Sequence, residues 1–125
     1  MEFITFEIAK KLKEKGFNMP CMDAFNEFGC RYRNGWCEYL DKRDDEFITS
    51  KDLNEKDCLS PTISQVLRWL REKKIYVSVE VEYEDWFEYK IVQTIKGTRR
   101  TGTRVYKTYD SALLAGIECV LDHVI

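Results

Sequence analysis

Between Ser60 and Tyr109 the spacing of apolar positions changes from helical to strand-like near Lys74-Ile75. Ile63, Val66, Leu67 and Leu70 fall at i, i+3, i+4 and i+7, which is one face of a helix. Ser60 is the expected cap, with Pro61 at the first helical position, where a missing N–H costs nothing. Gln65, Arg68 and Glu72 take the wet side, so that face is mixed in charge. Trp69 falls at the edge of the apolar stripe. Then Ile75, Val77, Val79, Val81 and Tyr83 alternate with Tyr76, Ser78, Glu80, Glu82 and Glu84, the pattern of a strand with one apolar face. Glu84-Asp85-Trp86 reads as a turn. Phe87, Tyr89, Ile91, Gln93 and Ile95 share one face of a second strand. Gly97 and Gly102 bracket a polar loop, and Arg104-Val105-Tyr106-Lys107 reads as a third strand. Short turns make the three strands antiparallel.

Outside this stretch the pattern is sparser. A first helix is expected from near Thr5, with Ile8, Ala9 and Leu12 inside and Lys10, Lys11 and Lys13 outside. Gly16 supplies a left-handed stop, and Phe17 can fold back on Leu12 in a Schellman ending. Asn34-Gly35, flanked by Cys30-Arg31-Tyr32-Arg33 and Trp36-Cys37-Glu38-Tyr39, predicts a two-residue hairpin, since both turn positions tolerate positive φ. From Asp41 to Asp57 acids outnumber bases, and only Phe47, Ile48 and Leu53 can bury. That stretch reads as a surface connection with one helical turn after Ser50. A last helix starts near Tyr109, capped by Thr108. Leu113, Ile117, Val120, Leu121 and Val124 form its large apolar face. Ala112, Ala115, Gly116 and Cys119 form a stripe of small residues. The expected packing puts the sheet on the large side and another helix on the small stripe.

The result is an α+β chain, residues 1–125 as a single domain: helix, β-hairpin, helix, three-stranded antiparallel sheet, helix. The length suits one domain with a modest core. With 44% hydrophobic and 14% aromatic residues the chain is globular and not disordered. A net charge of −2 and a pI near 5.5 exert no global pull on nucleic acid. No apolar run is long enough for a membrane span, and the start lacks the pattern of a secretion signal. The expectation is a cytoplasmic protein, monomeric or weakly dimeric.

Catalytic chemistry has little to build on. His123 is the one histidine, and it reads as a residue on the last helical turn, near the helix's negative end. No nucleotide-binding glycine loop or nucleophile elbow occurs. The five cysteines are not in C-x-x-C pairs, so no zinc or redox motif arises. They read as reduced thiols, with Cys30 and Cys37 placed to face each other across the Asn34-Gly35 turn. No catalytic residue, metal site or cofactor is assigned.

Charge segregation stands out. Glu80, Glu82, Glu84, Asp85 and Glu88 have no base among them, and Lys90, Lys96, Arg99, Arg100, Arg104 and Lys107 have no acid. Cross-strand pairing such as Glu82 with Lys90 accounts for part of this. It leaves a basic, glycine-containing loop at 96–104. Lys96, Arg99, Arg100, Arg104 and Lys107 are therefore candidate nucleic-acid-binding residues, with a solvated hairpin tip as the plain alternative. Trp69 and Trp86 are candidate anchors for a protein partner, since tryptophan is enriched at interface centres. The order helix–three strands–helix is similar to a double-stranded-RNA-binding domain, but Tyr109-Asp110-Ser111 stands where that fold has a lysine cluster. A winged helix-turn-helix lacks its partner helix before Ser60.

Three segments resemble a group of small phage-related proteins of gut bacteria: Ile4 to Lys10 with Lys15-Gly16-Phe17, Ser60-Pro61-Thr62 leading into Trp69 to Lys73, and Thr108 to Leu113. The resemblance implies a prophage or mobile-element origin and brings no activity with it. The leading expectation is a non-catalytic binding or regulatory module acting through a protein partner. A nucleic-acid-binding module using the basic loop comes second, and a small enzyme with no identifiable site third.

Overall fold

The computed structural model describes residues 3–33, 47–84, 86–102 and 104–125. They form three helices and two three-stranded antiparallel sheets, the expected α+β class. The chain divides into two compact units, Met1–Gln65 and Val66–Ile125.

In the first unit, helix α1 (Phe6–Glu14) is capped by Thr5, whose hydroxyl accepts from Ile8 N at 3.3 Å. Its end is the Schellman motif read from the sequence. Phe17 N donates to Leu12 O at 3.0 Å, Gly16 N donates to Lys13 O at 3.1 Å, and Gly16 has φ +81°. Strands β1 (Asp23–Phe25) and β2 (Arg31–Arg33) form a hairpin, and β3 (Cys58–Ser60) adds on the other side of β1. Among the described residues, the hairpin turn thus lies upstream of Asn34-Gly35. Asn26 builds it: its Oδ1 accepts from Phe28 N at 2.9 Å and Cys30 N at 3.0 Å. Gly29 completes it at φ +84°, where a Cβ would also stand 2.9 Å from the Phe6 ring. The Asn34-Gly35 turn, its second strand and the Cys30–Cys37 pair lie outside the described residues. Strand β3 escaped the sequence pattern because three residues are too few to show an alternating period.

Among the described residues of the first unit, the buried acids have partners. Asp23 is ion-paired to Arg33 at 3.0 Å, and Asp57 accepts from the Tyr32 hydroxyl at 2.6 Å. Lys13 of the lysine-rich face donates to the carbonyls of Glu55 and Asp57. Arg31 donates to Ser60 Oγ and Ile4 O, with its guanidinium over Phe3 and Phe25 at 4.4 and 4.9 Å. These cations therefore hold the fold together.

Helix α2 (Ile63–Glu72) begins two residues later than the sequence suggested. Ser60 is the last residue of β3, and Thr62 is the cap instead. Its hydroxyl accepts from Gln65 N at 3.2 Å, while Gln65 Oε1 accepts from Thr62 N at 2.8 Å, a reciprocal capping box. Ile63, Val66, Trp69 and Leu70 are buried, whereas Leu67 is only half-buried. The buried face is thus rotated toward Trp69, the larger apolar side chain, and Lys73 lies 4.6 Å from its ring. At 4% exposure Trp69 presents no surface for a partner, which removes it as a candidate anchor.

The second unit carries the meander β4 (Ile75–Tyr83), β5 (Trp86–Gln93) and β6 (Thr98–Thr101), with helix α3 (Tyr109–Cys119) and a π-helical turn (Val120–Val124). Lys74, between α2 and β4, has φ +63°. A residue with a Cβ is strained there, so Lys74→Gly is expected to stabilise the protein by about 0.5–1 kcal/mol. Urea unfolding checks it, and an unchanged or lower midpoint would contradict it.

Two corrections bear on function. The third strand is not Arg104–Lys107 but Thr98–Thr101, inside the expected loop. Tyr106 returns to β5 only as an isolated bridge to Phe87, its register slipped by two residues from that of β6. Second, the small-residue stripe of α3 meets the sheet. A Cβ on Gly116 would stand 2.8 Å from Val77 Cγ1 and 3.0 Å from Tyr89 Cβ. A glycine lets the helix axis approach the strands closely, and that decides which side faces them.

Candidate functional site

Strand alternation divides the second sheet into two faces. Register pairs Val77 with Ile91 and Ile91 with Arg100, so these three share the face that carries α3. Tyr76 pairs with Val92 and Val92 with Arg99, so these form a row across the opposite face. Arg99 and Arg100, adjacent in sequence, therefore point to opposite sides of β6.

They meet again at the edge of the sheet. A cleft of about 310 Å³ is lined by Ile91, Gln93, Lys96, Thr98, Arg99, Arg100, His123 and Val124. Lys96 comes from the tight β5–β6 turn, which Gly97 closes at φ +67°. Arg99 and Arg100 come from β6, the edge strand. His123 and Val124 come from the turn that extends α3. Two guanidinium groups, a lysine and a histidine thus surround a floor containing the buried Ile91. The acids of the same helix and its extension, Asp110, Glu118 and Asp122, are not among the lining residues. Side chains of this kind offer charge-assisted hydrogen bonds to phosphate oxygens.

Beside the cleft, Arg100 Nη1 lies 4.0 Å from Cys119 Sγ. Burial, followed by the hydrogen bond with Cys119, pushes the Tyr89 hydroxyl up to about 12. Tyr89 is therefore a neutral phenol at physiological pH.

The sequence-selected cations divide. Lys96, Arg99 and Arg100 are brought together. Arg104 and Lys107 do not line the cleft, and the Arg104 guanidinium lies 5.9 Å from the Tyr106 ring instead. His123, read from sequence as a residue of a terminal turn, joins the cluster. Its position three residues beyond Val120 was the only available signal, and helix spacing alone does not say what lies opposite. Lys90 sits across from Ser78 in the strand register and pairs with Glu80 at 2.8 Å. Trp86 is 52% exposed.

Among the described residues, no group of three or more His, Cys, Asp or Glu is placed to hold a metal ion, and no helix is long and apolar enough to cross a membrane. No protein-family profile, curated protein or solved structure matches the chain.

Proposed function

We propose that this protein is a non-catalytic module that binds nucleic acid through its phosphate backbone, using the cleft formed by Lys96, Arg99, Arg100 and His123. The observation that carries the reading is the convergence of these side chains from a turn, an edge strand and a helix end. Cations held around a concave edge neutralise neighbouring phosphates together, which isolated surface lysines do not. The resemblance to phage-related proteins is compatible with such a module and adds no activity to it.

Fluorescence anisotropy with labelled DNA and RNA at two salt concentrations tests this. The variant Lys96→Glu/Arg99→Glu is expected to lose at least tenfold in affinity at low salt. Its dependence of log K on log salt flattens by roughly 1.4, the contribution of two single-strand phosphate contacts. The variant Arg104→Glu/Lys107→Glu, altered outside the cleft, serves as the control and should change affinity little. Absence of binding at low salt, or equal losses in the two variants, overturns the reading.

A protein partner is the second reading, supported by exposed apolar side chains at the other end of the β4–β5 hairpin, where Val81 and Trp86 stand in the acidic segment. Salt-insensitive binding abolished by Trp86→Ala would favour it.

A further inference from the structure

The open face of the sheet next to the cleft adds information about the kind of nucleic acid. The α3 helix covers the face of Val77 and Ile91, as the close approach at Gly116 shows. On the other face, Tyr76, Val92 and Arg99 form one row across all three strands. Tyr76 is 39% exposed, Val92 is half-buried and Arg99 is exposed. An aromatic ring, an aliphatic seat and a guanidinium thus lie side by side, each about 4.8 Å from the next strand. Arg99 also lines the cleft, so the row and the cleft share a cation.

Resting on the phosphate-binding reading above, we infer that this surface takes single-stranded nucleic acid, with a base stacked on Tyr76 and the adjoining phosphates in the cleft of Lys96, Arg99 and Arg100. An accessible aromatic beside a basic groove is the arrangement that holds unpaired bases, because every base has a stacking face. In a duplex those faces are already stacked on each other and unavailable to Tyr76. The neighbouring helix is also unsuited to a groove: from Tyr109 to Val124 it carries Asp110, Glu118 and Asp122, with His123 as its one basic residue. The acids bound the surface on its other side. Farther along β4, Glu80 stands opposite Glu88, and Lys90 is engaged with Glu80 at 2.8 Å. Phosphates are repelled there, which confines the footprint to the rows nearest the cleft.

The test compares three probes on the full chain: a labelled oligothymidylate or oligouridylate, a hairpin duplex of equal nucleotide number, and inorganic polyphosphate, which has charge but no bases. The single strands are expected to bind at least tenfold tighter than the duplex at equal salt. Tyr76→Ala should weaken single-strand binding roughly five- to hundredfold while leaving its salt slope and polyphosphate affinity unchanged. Tyr76→Phe keeps the ring and should retain most of the affinity, which guards against a mere folding defect in the alanine variant. If single strands and polyphosphate bind but Tyr76→Ala changes neither, or if the duplex binds equally well, the stacking inference fails and the phosphate-binding cleft stands. If no probe binds at low salt, both fail. A preference between the thymidylate and uridylate arms tells DNA from RNA.

Discussion

Gly116→Val is expected to unseat helix α3 and lower stability by about 3 kcal/mol, the upper part of the usual range for overpacking a close contact. A Cβ alone would lie 2.8 Å from Val77 Cγ1 and 3.0 Å from Tyr89 Cβ. Valine adds two more carbons to that space. Val77 can rotate, but the Tyr89 Cβ is fixed by its strand, so the helix must lift. Intrinsic helix propensity works in the opposite direction, since glycine is about 1 kcal/mol less favourable than alanine inside a helix. Gly116→Ala separates the two effects, because it regains the propensity while adding only the first clash. The valine variant should melt roughly 10 °C lower, with alanine between it and wild type. Nucleic-acid binding should weaken with the valine variant as well, because α3 places His123 and Val124 at the cleft. A valine variant that melts with the wild type would show that the helix does not rest on this contact.

Raising the pH from 8 to 10.5 is expected to cost a comparable amount of stability through two buried thiols. A thiol is charged when it has lost its proton, and burial disfavours the charge. Cys21 is fully buried, and burial first, then the Asp23 charge, pushes it up to about 12 from 9.0. Cys58, also buried, is pushed up to about 11, again mainly by burial, with Lys13 opposing and Asp57 adding. Both folded-state values lie above the unfolded ones. Their contribution is therefore complete below pH 9 and is lost as the pH rises toward 11–12, where the unfolded chain releases protons that the folded chain retains. The slope is about 1.4 kcal/mol per pH unit for each thiol. At pH 10.5 the two together amount to about 4 kcal/mol, a large share of the stability of an ordinary domain. Urea unfolding under reducing conditions at the two pH values measures the loss. Cys21→Ala/Cys58→Ala should remove most of the pH dependence, leaving the smaller part that the raised Tyr89 hydroxyl contributes above about pH 10. An identical dependence in the variant would mean that both thiols are hydrated in the folded state.

Much of the site's chemistry was legible along the chain, but its membership was not. The run of bases from Lys90 to Lys107 is a fact of composition, and it singled out Lys96, Arg99 and Arg100. It also drew in Arg104 and Lys107, which are near in sequence but are carried away by the slipped register after Gly102. A Cβ at Gly102 would lie 2.6 Å from the Tyr89 ring, so the chain passes close to β5 there before returning at Tyr106. Tyr76 is one polar-face position among several in the sequence pattern. Its significance comes from the strand pairing that aligns it with Val92 and Arg99.

Features governed by local rules were already written in the order of residues. The Schellman ending at Gly16, the Thr5 and Thr108 caps, the two long strands and the fold class follow from spacing, capping side chains and backbone preferences within a few residues. Folding in three dimensions decided what depends on partners distant in the chain. A three-residue strand such as β3 is held by β1, not by its own pattern. Trp69 is buried because its helix turns the largest apolar side chain inward. The small stripe of α3 meets the sheet because close approach needs a residue without a side chain, whereas the sequence shows only that two faces can be buried. For the same reason His123 stands beside Lys96 and Arg100 only after helix and hairpin have packed: charge order is written along the chain, but charge proximity is a property of the fold.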